Sequence, residues 1–170
     1  MNSITGSAVH KEFNDISFKY RHKTPLGVFS IIEQKGALTG LYLNKEHAEP
    51  DFACRKTPLI AETIKQLDEY LAGDRKEFEL PLAPAGTEFQ QKVWQALRTI
   101  GYGSTLSYQA LAEKIGNPKA CRAVGGANNK NPIIIIIPCH RVIGKDNSLT
   151  GFGAGLDVKA KLLALEKARK

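Results

Sequence analysis

The sequence is poor in paired cysteines, long apolar runs and apolar residues near its start. Its three cysteines, Cys54, Cys121 and Cys139, are an odd number and form no CxxC pair, so we expect reduced thiols rather than a disulfide framework. No stretch reaches the roughly 20 apolar residues of a membrane-spanning helix, and MNSITGSAVHKEF has no apolar signal-peptide core. We therefore expect a cytoplasmic protein that contacts no membrane.

Acidic residues are scarce in the second half of the chain. Residues 1–84 carry 11 Lys/Arg and 12 Asp/Glu, whereas residues 85–170 carry 13 Lys/Arg and 5 Asp/Glu, giving net charges of −1 and +8. Positive charge concentrated in one half is typical of a protein that binds nucleic acid. A solvated basic surface without a partner gives the same count, so charge alone leaves both interpretations open.

The first half of the sequence predicts a small sheet followed by a helix. VFSII (28–32) and ALTGLYL (37–43) predict two strands joined by a hairpin turn at Gly36. Thr57 and Pro58 predict the start of a helix that ends at Gly73. FELPL (78–82) predicts one more short strand, and APAG (83–86) a linker between two domains.

The second half is mostly helical. Thr87 and Gln90 form the sequence pattern of a capping box before an apolar helical stripe. Ser107 predicts the cap of a second helix over 108–115, and Asn117–Pro118 the start of a third that runs to about residue 128. Two short helices joined by GNP are typical of a helix-turn-helix, although many such hairpins bind nothing.

The third predicted helix has one face almost without side chains. Its apolar stripe is predicted at Ala120, Ala123, Val124 and Ala127, whereas Arg122 lies off that stripe, near Gly125 and Gly126. Each glycine costs a helix roughly 1 kcal/mol relative to alanine, so the pair needs a reason. Close approach of another backbone and tight packing against a neighbouring helix explain it equally well.

The segment NPIIIIIPCHRVIG (131–144) joins an apolar run to reactive groups. Five isoleucines predict a strand buried on both faces, which Pro138 ends. Cys139 is then a nucleophile at the edge of a rigid core, and we expect His140, Arg141 and the basic surroundings to lower its pKa. His140 can assist Cys139 only if the chain turns here or a water bridges them, because neighbours in a strand face opposite ways.

PCHRVIG resembles the active-site motif of the O6-alkylguanine-DNA alkyltransferases. GTEFQQKVWQALRTIGYGSTLSYQALAEKIGNPKACRAVGGANNKNP (86–132) and GFGAGLDVKAKLLALE (151–166) are also similar to that family, whereas residues 1–85 resemble it only loosely. The resemblance implies an α/β (α+β) fold with two domains. Residues 1–85 would form a ribonuclease H-like domain of strands and helix, and residues 86–170 a mostly helical winged helix-turn-helix domain that binds DNA and carries the active-site cysteine.

The resemblance also implies a reaction and its residues. The cysteine, Cys139, takes the alkyl group from O6-alkylguanine in double-stranded DNA irreversibly and without a cofactor, after the base has flipped out through the minor groove. His140 and Glu166 match the family's relay, which activates the thiol through a water. Asn131 matches the asparagine that joins the two halves of the site. Arg122 matches the side chain that fills the vacated base position.

Further roles follow from the same resemblance. The DNA-binding set comprises Arg122, Tyr108, Gly125, Gly126 and Ala127, and the substrate-binding set comprises Tyr108, Val142, Phe152, Gly153 and Lys159. Phe152 stands where many members have tyrosine, and Gly153 where some have serine. Some eukaryotic members bind zinc in the N-terminal domain, but His10, His22, His47 and Cys54 do not match that pattern, so no metal is expected.

The resemblance predicts a monomer that needs no protein partner and that, in a prokaryote, is associated with the nucleoid. It leaves open the range of alkyl groups and the acceptance of O4-alkylthymine. Two alternatives use the same motifs differently: a cysteine hydrolase would turn over, and a helix-turn-helix regulator without chemistry would bind a specific DNA sequence independently of Cys139.

Overall fold

The N-terminal half is built on a four-stranded sheet. The computed structural model describes residues 16–45 and 51–169. Strands β1 (Ser17–Thr24), β2 (Gly27–Gln34), β3 (Ala37–Leu43) and β4 (Ala53–Cys54) form a sheet in the order β3-β2-β1-β4. The first three strands pair antiparallel, and β4 joins β1 in parallel. The predicted hairpin between β2 and β3 is confirmed, and both turn residues, Lys35 and Gly36, have positive φ.

Helix α1 (Pro58–Ala72) covers this sheet with the predicted bounds. The Thr57 side chain accepts a hydrogen bond from the Ile60 N–H, and Gly73 ends the helix in a left-handed conformation. The strand predicted at residues 78–82 is wrong. The chain makes only one bridge there, between Leu82 and Leu38, since the preceding residue, Pro81, has no N–H to donate to a ladder.

The second half contains the predicted helix-turn-helix. Helices α2 (Glu88–Leu97), α3 (Tyr108–Lys114) and α4 (Cys121–Asn129) are followed by a 3-10 turn (Cys139–Arg141) and helix α5 (Leu156–Ala168). Strands β5 (Leu106–Ser107) and β6 (Val142–Ile143) pair in parallel. The capping box at Thr87 and the cap at Ser107 are confirmed.

Helix α4 begins later than predicted, and its buried face differs. Residues 117–120 form a turn in which the Ala120 N–H bonds to the Asn117 carbonyl, so the helix starts at Cys121. The left-handed Gly116 before it reverses the chain. Ala123 is exposed, whereas Asn128 is buried with Val124 and Ala127.

The isoleucine run is buried as predicted, but it is not a regular strand. All five side chains are at most 8% exposed. Ile135 has φ = 71°, and the Ile137 N–H returns to the Ile133 carbonyl at 3.0 Å, so the run folds into a compact turn. A positive φ is costly for a β-branched residue, and it persists because β3 holds the start of the turn through the bridge from Leu41 to Ile133.

One apolar core joins the two halves. It contains Leu41 and Leu67 from the first half and Trp94, Ile133 and Leu162 from the second. The domain boundary between residues 85 and 86 stays a prediction. Within the part of the chain that is described, no helix has the length and apolar character needed to cross a membrane.

Candidate active site

Cys139 lies at a cavity of about 190 Å³ to which both halves contribute. Its side chain is buried, with the residue only 2% exposed. The cavity is lined by the end of β3, the end of α4 and the loop before α5; the lining residues are Tyr42, Leu43, Lys45, Asn128, Asn129, Lys130, Asn131, Ile134, Cys139, Gly153 and Ala154. The nucleophile therefore lies at the wall of a cavity that both halves of the chain form.

The 3-10 turn places His140 against the C-terminal helix. Its Nε2 lies 2.8 Å from Oε1 of Glu166, and both side chains are fully buried. The chain thus turns at Cys139, as assistance from His140 requires. Because Glu166 is an anion, His140 donates its Nε2 proton to it, and this leaves a lone pair on Nδ1. That Nδ1 atom is buried and has no hydrogen-bond partner among the described residues.

The Glu166 carboxylate is surrounded by donors. The Tyr70 hydroxyl donates to Oε1 at 2.6 Å, and the backbone N–H of Gly103 donates to Oε2 at 3.1 Å. The Arg141 guanidinium donates to both oxygens and also to the carbonyl of Ile100. Burial alone would raise the pKa of Glu166, but the hydrogen bonds from His140, Arg141 and Tyr70 outweigh it and lower that pKa to about 2.

The pKa of Cys139 moves opposite to the prediction. Burial raises it to about 11, although a hydrogen bond from Asn131 and the charge of Lys159 act the other way. The expected lowering is therefore wrong for the free protein, because desolvation of the thiolate exceeds the effect of nearby cations. Burial also lowers the pKa of His140, against the opposing effect of Glu166. At neutral pH the site thus pairs a thiol with a neutral imidazole.

Two asparagines hold the backbone around the thiol. Asn131 donates to the Ile137 carbonyl at 2.7 Å and accepts from the Ile133 N–H at 3.0 Å, so it closes the isoleucine turn. Asn128, which was not predicted as a site residue, donates to the Cys139 carbonyl at 3.3 Å. These contacts fix the segment that presents Cys139.

Helix α4 carries four of the five predicted DNA-binding residues, Arg122, Gly125, Gly126 and Ala127, and Tyr108 begins α3. Arg122 is exposed. A Cβ atom on Gly126 would meet nothing within 4 Å in the described part of the chain, and one on Gly125 would meet only the Tyr108 ring, at 3.8 Å. Tight packing within the protein therefore does not explain these glycines. Ala127 differs from the others, since it is buried against the core.

The predicted substrate-binding residues are only partly brought to the cavity. Gly153 lines it, whereas Val142 and Phe152 are buried in the core beside it. Lys159 is fully buried, and its ammonium donates to the carbonyls of Val142 and Thr150. The Tyr108 hydroxyl also donates to the Thr150 carbonyl, at 2.8 Å. Lys159 and Tyr108 therefore brace the loop that carries Phe152 and Gly153.

Sequence reasoning missed two residues that the N-terminal half supplies. Lys45 lines the cavity, with its ammonium 3.8 Å from where a Cβ on Gly153 would lie. Tyr70 reaches Glu166 from α1. The only signal for Tyr70 was a hydroxyl on an apolar helical stripe, since a buried tyrosine needs a hydrogen-bond partner. No local pattern indicated Lys45.

The residues considered for zinc do not form a described cluster. His10 and His47 lie outside the described residues. His22 is paired with Asp68 at 2.8 Å, and Cys54 is exposed. Across residues 16–45 and 51–169, no group of three or more potential metal ligands comes together.

Comparison with known proteins identifies both halves. The family model "6-O-methylguanine DNA methyltransferase, ribonuclease-like domain" matches residues 19–84, and that of the DNA binding domain matches residues 88–168. The constitutive methylated-DNA–protein-cysteine methyltransferase of Bacillus subtilis is 47% identical over 152 residues, which is 85% of this chain and 92% of that relative.

Solved structures agree with the sequence comparison. The crystal structure of Mycobacterium tuberculosis O6-methylguanine methyltransferase aligns with a TM-score of 0.83 and 42% identity, over 91% of this chain and 95% of that one. A structure of the M. tuberculosis protein in complex with DNA aligns with a TM-score of 0.84 and 42% identity, over 89% and 94%. The predicted fold class is confirmed, and the chain belongs to the 6-O-methylguanine DNA methyltransferase family.

Proposed function

We propose that this protein repairs O6-alkylguanine in double-stranded DNA by moving the alkyl group irreversibly to Sγ of Cys139. The reaction class, methyl transfer from damaged DNA to a protein cysteine, follows from family membership. The observation that carries the assignment to Cys139 is its place at the cavity beside a neutral, buried His140 that Glu166 orients. Cys54 is exposed, and Cys121 begins α4 away from this cavity.

The geometry supports a proton transfer before the attack. A thiol whose pKa is about 11 is almost entirely protonated at neutral pH, and the thiolate is the nucleophile. The unpartnered Nδ1 of His140 is the acceptor, reached through a water as the family relay implies. Glu166 is too weak a base to accept the proton and instead stabilises the imidazolium that forms.

The transfer itself needs no cofactor. The Cys139 thiolate attacks the alkyl carbon, so a carbon–sulfur bond forms as the bond from that carbon to O6 breaks. The electrons of the broken bond remain on the guanine, which takes back, through water, the proton that His140 removed from the thiol, and the neutral guanine stays in the DNA strand. Water does not cleave the carbon–sulfur bond of the thioether, so each protein molecule reacts once.

We assign the approach to DNA to the exposed face of α4. The +8 charge of residues 85–170 attracts the phosphates, and the open space at Gly126 lets the helix lie close to the minor groove. Arg122 then enters the duplex in place of the flipped base, and Tyr108 contacts the flipped nucleotide. Gly153 forms part of the wall that receives the guanine, Val142 and Phe152 are buried beside it, and Lys159 holds this region through the carbonyls of Val142 and Thr150.

A single experiment tests the proposal against its alternatives. The protein is incubated with an excess of DNA containing O6-methylguanine, and its intact mass is followed, with peptide mapping of the product. We expect one methyl group per molecule, on Cys139, and the same result in Cys121→Ala. More than one repaired guanine per protein molecule, without a lasting mass gain on the protein, would indicate turnover, as in a hydrolase. Transfer that persists in Cys139→Ala, or none in the native protein, contradicts the assignment.

A further inference from the structure

Tyr70 connects the N-terminal half to the buried acid of the relay. It lies near the end of α1 and is fully buried. Its hydroxyl donates to Oε1 of Glu166 at 2.6 Å and lies 3.4 Å from Nε2 of His140. A distance of 2.6 Å is typical of a strong hydrogen bond from a hydroxyl to a carboxylate. A residue of the first half thus contacts the same oxygen of Glu166 that accepts the hydrogen bond from His140.

Packing explains the ring of Tyr70 but not its hydroxyl. The ring lies against Phe78 and Tyr102, with centroids 5.3 Å and 6.0 Å away. Phenylalanine would make the same ring contacts. Burial and the negative charge of Glu166 raise the pKa of Tyr70, so the hydroxyl stays protonated and acts only as a donor to the carboxylate.

We propose that Tyr70 is a positioning residue for the transfer reaction. Its hydroxyl holds the Glu166 carboxylate against His140 and withdraws part of the negative charge of that carboxylate. The inference rests on the proposed function, in which His140 accepts the thiol proton. It makes the relay a product of both halves of the chain. The N-terminal half then contributes to the chemistry as well as to the cavity wall.

The consequence is a shift in the protonation of His140. The titratable and charged groups that act on its ring are Glu166, Arg141, Lys159 and the hydroxyl of Tyr70. Without that hydroxyl, Oε1 keeps more charge for the Nε2 proton of His140, which favours the imidazolium. The pKa of His140 then rises, and the base is neutral over a narrower pH range. The acidic limb of the rate profile should move to higher pH.

The test compares Tyr70→Phe with Tyr102→Phe. Tyr102 is a matched control because its hydroxyl is also buried, in the same aromatic group, but has no hydrogen-bond partner among the described residues. Single-turnover rate constants for DNA with O6-methylguanine are measured against pH. We expect the acidic limb of Tyr70→Phe to move up by about one pH unit, the effect of one lost hydrogen bond. The profile of Tyr102→Phe should stay in place.

A second measurement separates this inference from the proposed function. NMR titration of the His140 ring in the unreacted protein needs no alkyl transfer, and the chain has only four histidines to assign. We expect its pKa to rise in Tyr70→Phe and not in Tyr102→Phe. An unchanged pKa in Tyr70→Phe, or equal shifts in both variants, overturns the role of Tyr70 even if Cys139 is alkylated. A native protein that transfers no methyl group overturns the proposed function instead.

Discussion

Glu166 shows how one buried side chain sets the chemistry of its neighbours. Its pKa of about 2 means that it stays an anion throughout the working range, so its role is to orient His140 rather than to accept a proton. Removing one member of a buried ion pair costs about 3–5 kcal/mol, much of it from the charge left unpaired. Here that charge is the guanidinium of Arg141.

We predict that Glu166→Gln slows transfer while DNA affinity changes little. The amide cannot stabilise the imidazolium, so the single-turnover rate at neutral pH should fall by about a hundredfold or more. The rate should recover in part as the pH rises toward about 11, where the Cys139 thiol ionises without a base. Rate constants at several pH values check this. They are measured at a temperature below that at which the destabilised variant unfolds.

Asp157→Asn is the matched control for this change. It removes a carboxylate from the same helix, α5, at an exposed position in the first turn. Its rate should equal that of the native protein at every pH. A native rate in Glu166→Gln would remove Glu166 from the relay and leave His140 without an orienting partner.

The sequence reveals individual site residues only where a local motif carries them. Cys139 and His140 stand in PCHR, and α4 presents Arg122 beside two glycines, so the pattern indicates all three. Tyr70 lies 96 positions from Glu166, and this contact exists only after folding. The raised pKa of Cys139 was missed for a related reason, because the cost of burial depends on a cavity that residue types alone do not describe.

At the scale of elements, end signals predicted helices better than apolar composition predicted strands. Thr57, Thr87 and Ser107 each form the expected cap, because capping depends on neighbours a few positions away. The isoleucine run predicted burial correctly and geometry wrongly. Its turn depends on β3 and Asn131, which hold both ends of the run. A run of apolar residues predicts that a segment is buried, but it does not predict the backbone conformation of that segment.

Helix α4 yields a prediction that separates folding from DNA binding. We expect Gly126→Ala to raise the free energy of unfolding by about 1 kcal/mol, because alanine favours a helix and the added Cβ meets no described atom. The same methyl group should weaken DNA binding if the helix approaches the backbone closely. Chemical unfolding and binding to an undamaged duplex check the two effects. An unchanged DNA affinity would show that this face stands away from DNA.

We also predict that Arg122→Ala slows the repair of duplex DNA much more than the reaction with a free base. Without the side chain that fills the vacated position, repair of duplex DNA should lose the stabilisation of the flipped state, a few kcal/mol. A free O6-alkylguanine base needs no flipping, so its reaction with Cys139 should be nearly unchanged. Rate constants for both substrates check this. Equal losses on both would mean that Arg122 supports the fold, although its exposed position argues against that role.

Across the whole molecule, charge is divided between the halves while the core is shared. The apolar core runs from the sheet through the isoleucine turn to α5, and Tyr70 crosses the same junction. Composition predicted the charge division, since counting needs no coordinates. It did not predict the shared core, because contacts between distant segments leave no local pattern. DNA affinity should therefore depend on where a charge lies and not on net charge alone.

We predict that affinity for undamaged DNA falls as salt rises and that this dependence resides in the second half. Each phosphate contact contributes about 0.9 to the slope of log affinity against log salt. Lys119 is exposed in the turn before α4, and Lys23 is exposed on β1. Lys119→Gln should lower the slope by about one, whereas Lys23→Gln, which removes the same charge, should leave it unchanged. Binding isotherms at several salt concentrations check both. Equal slopes in the two variants would show that net charge, not the helix-turn-helix surface, sets DNA affinity.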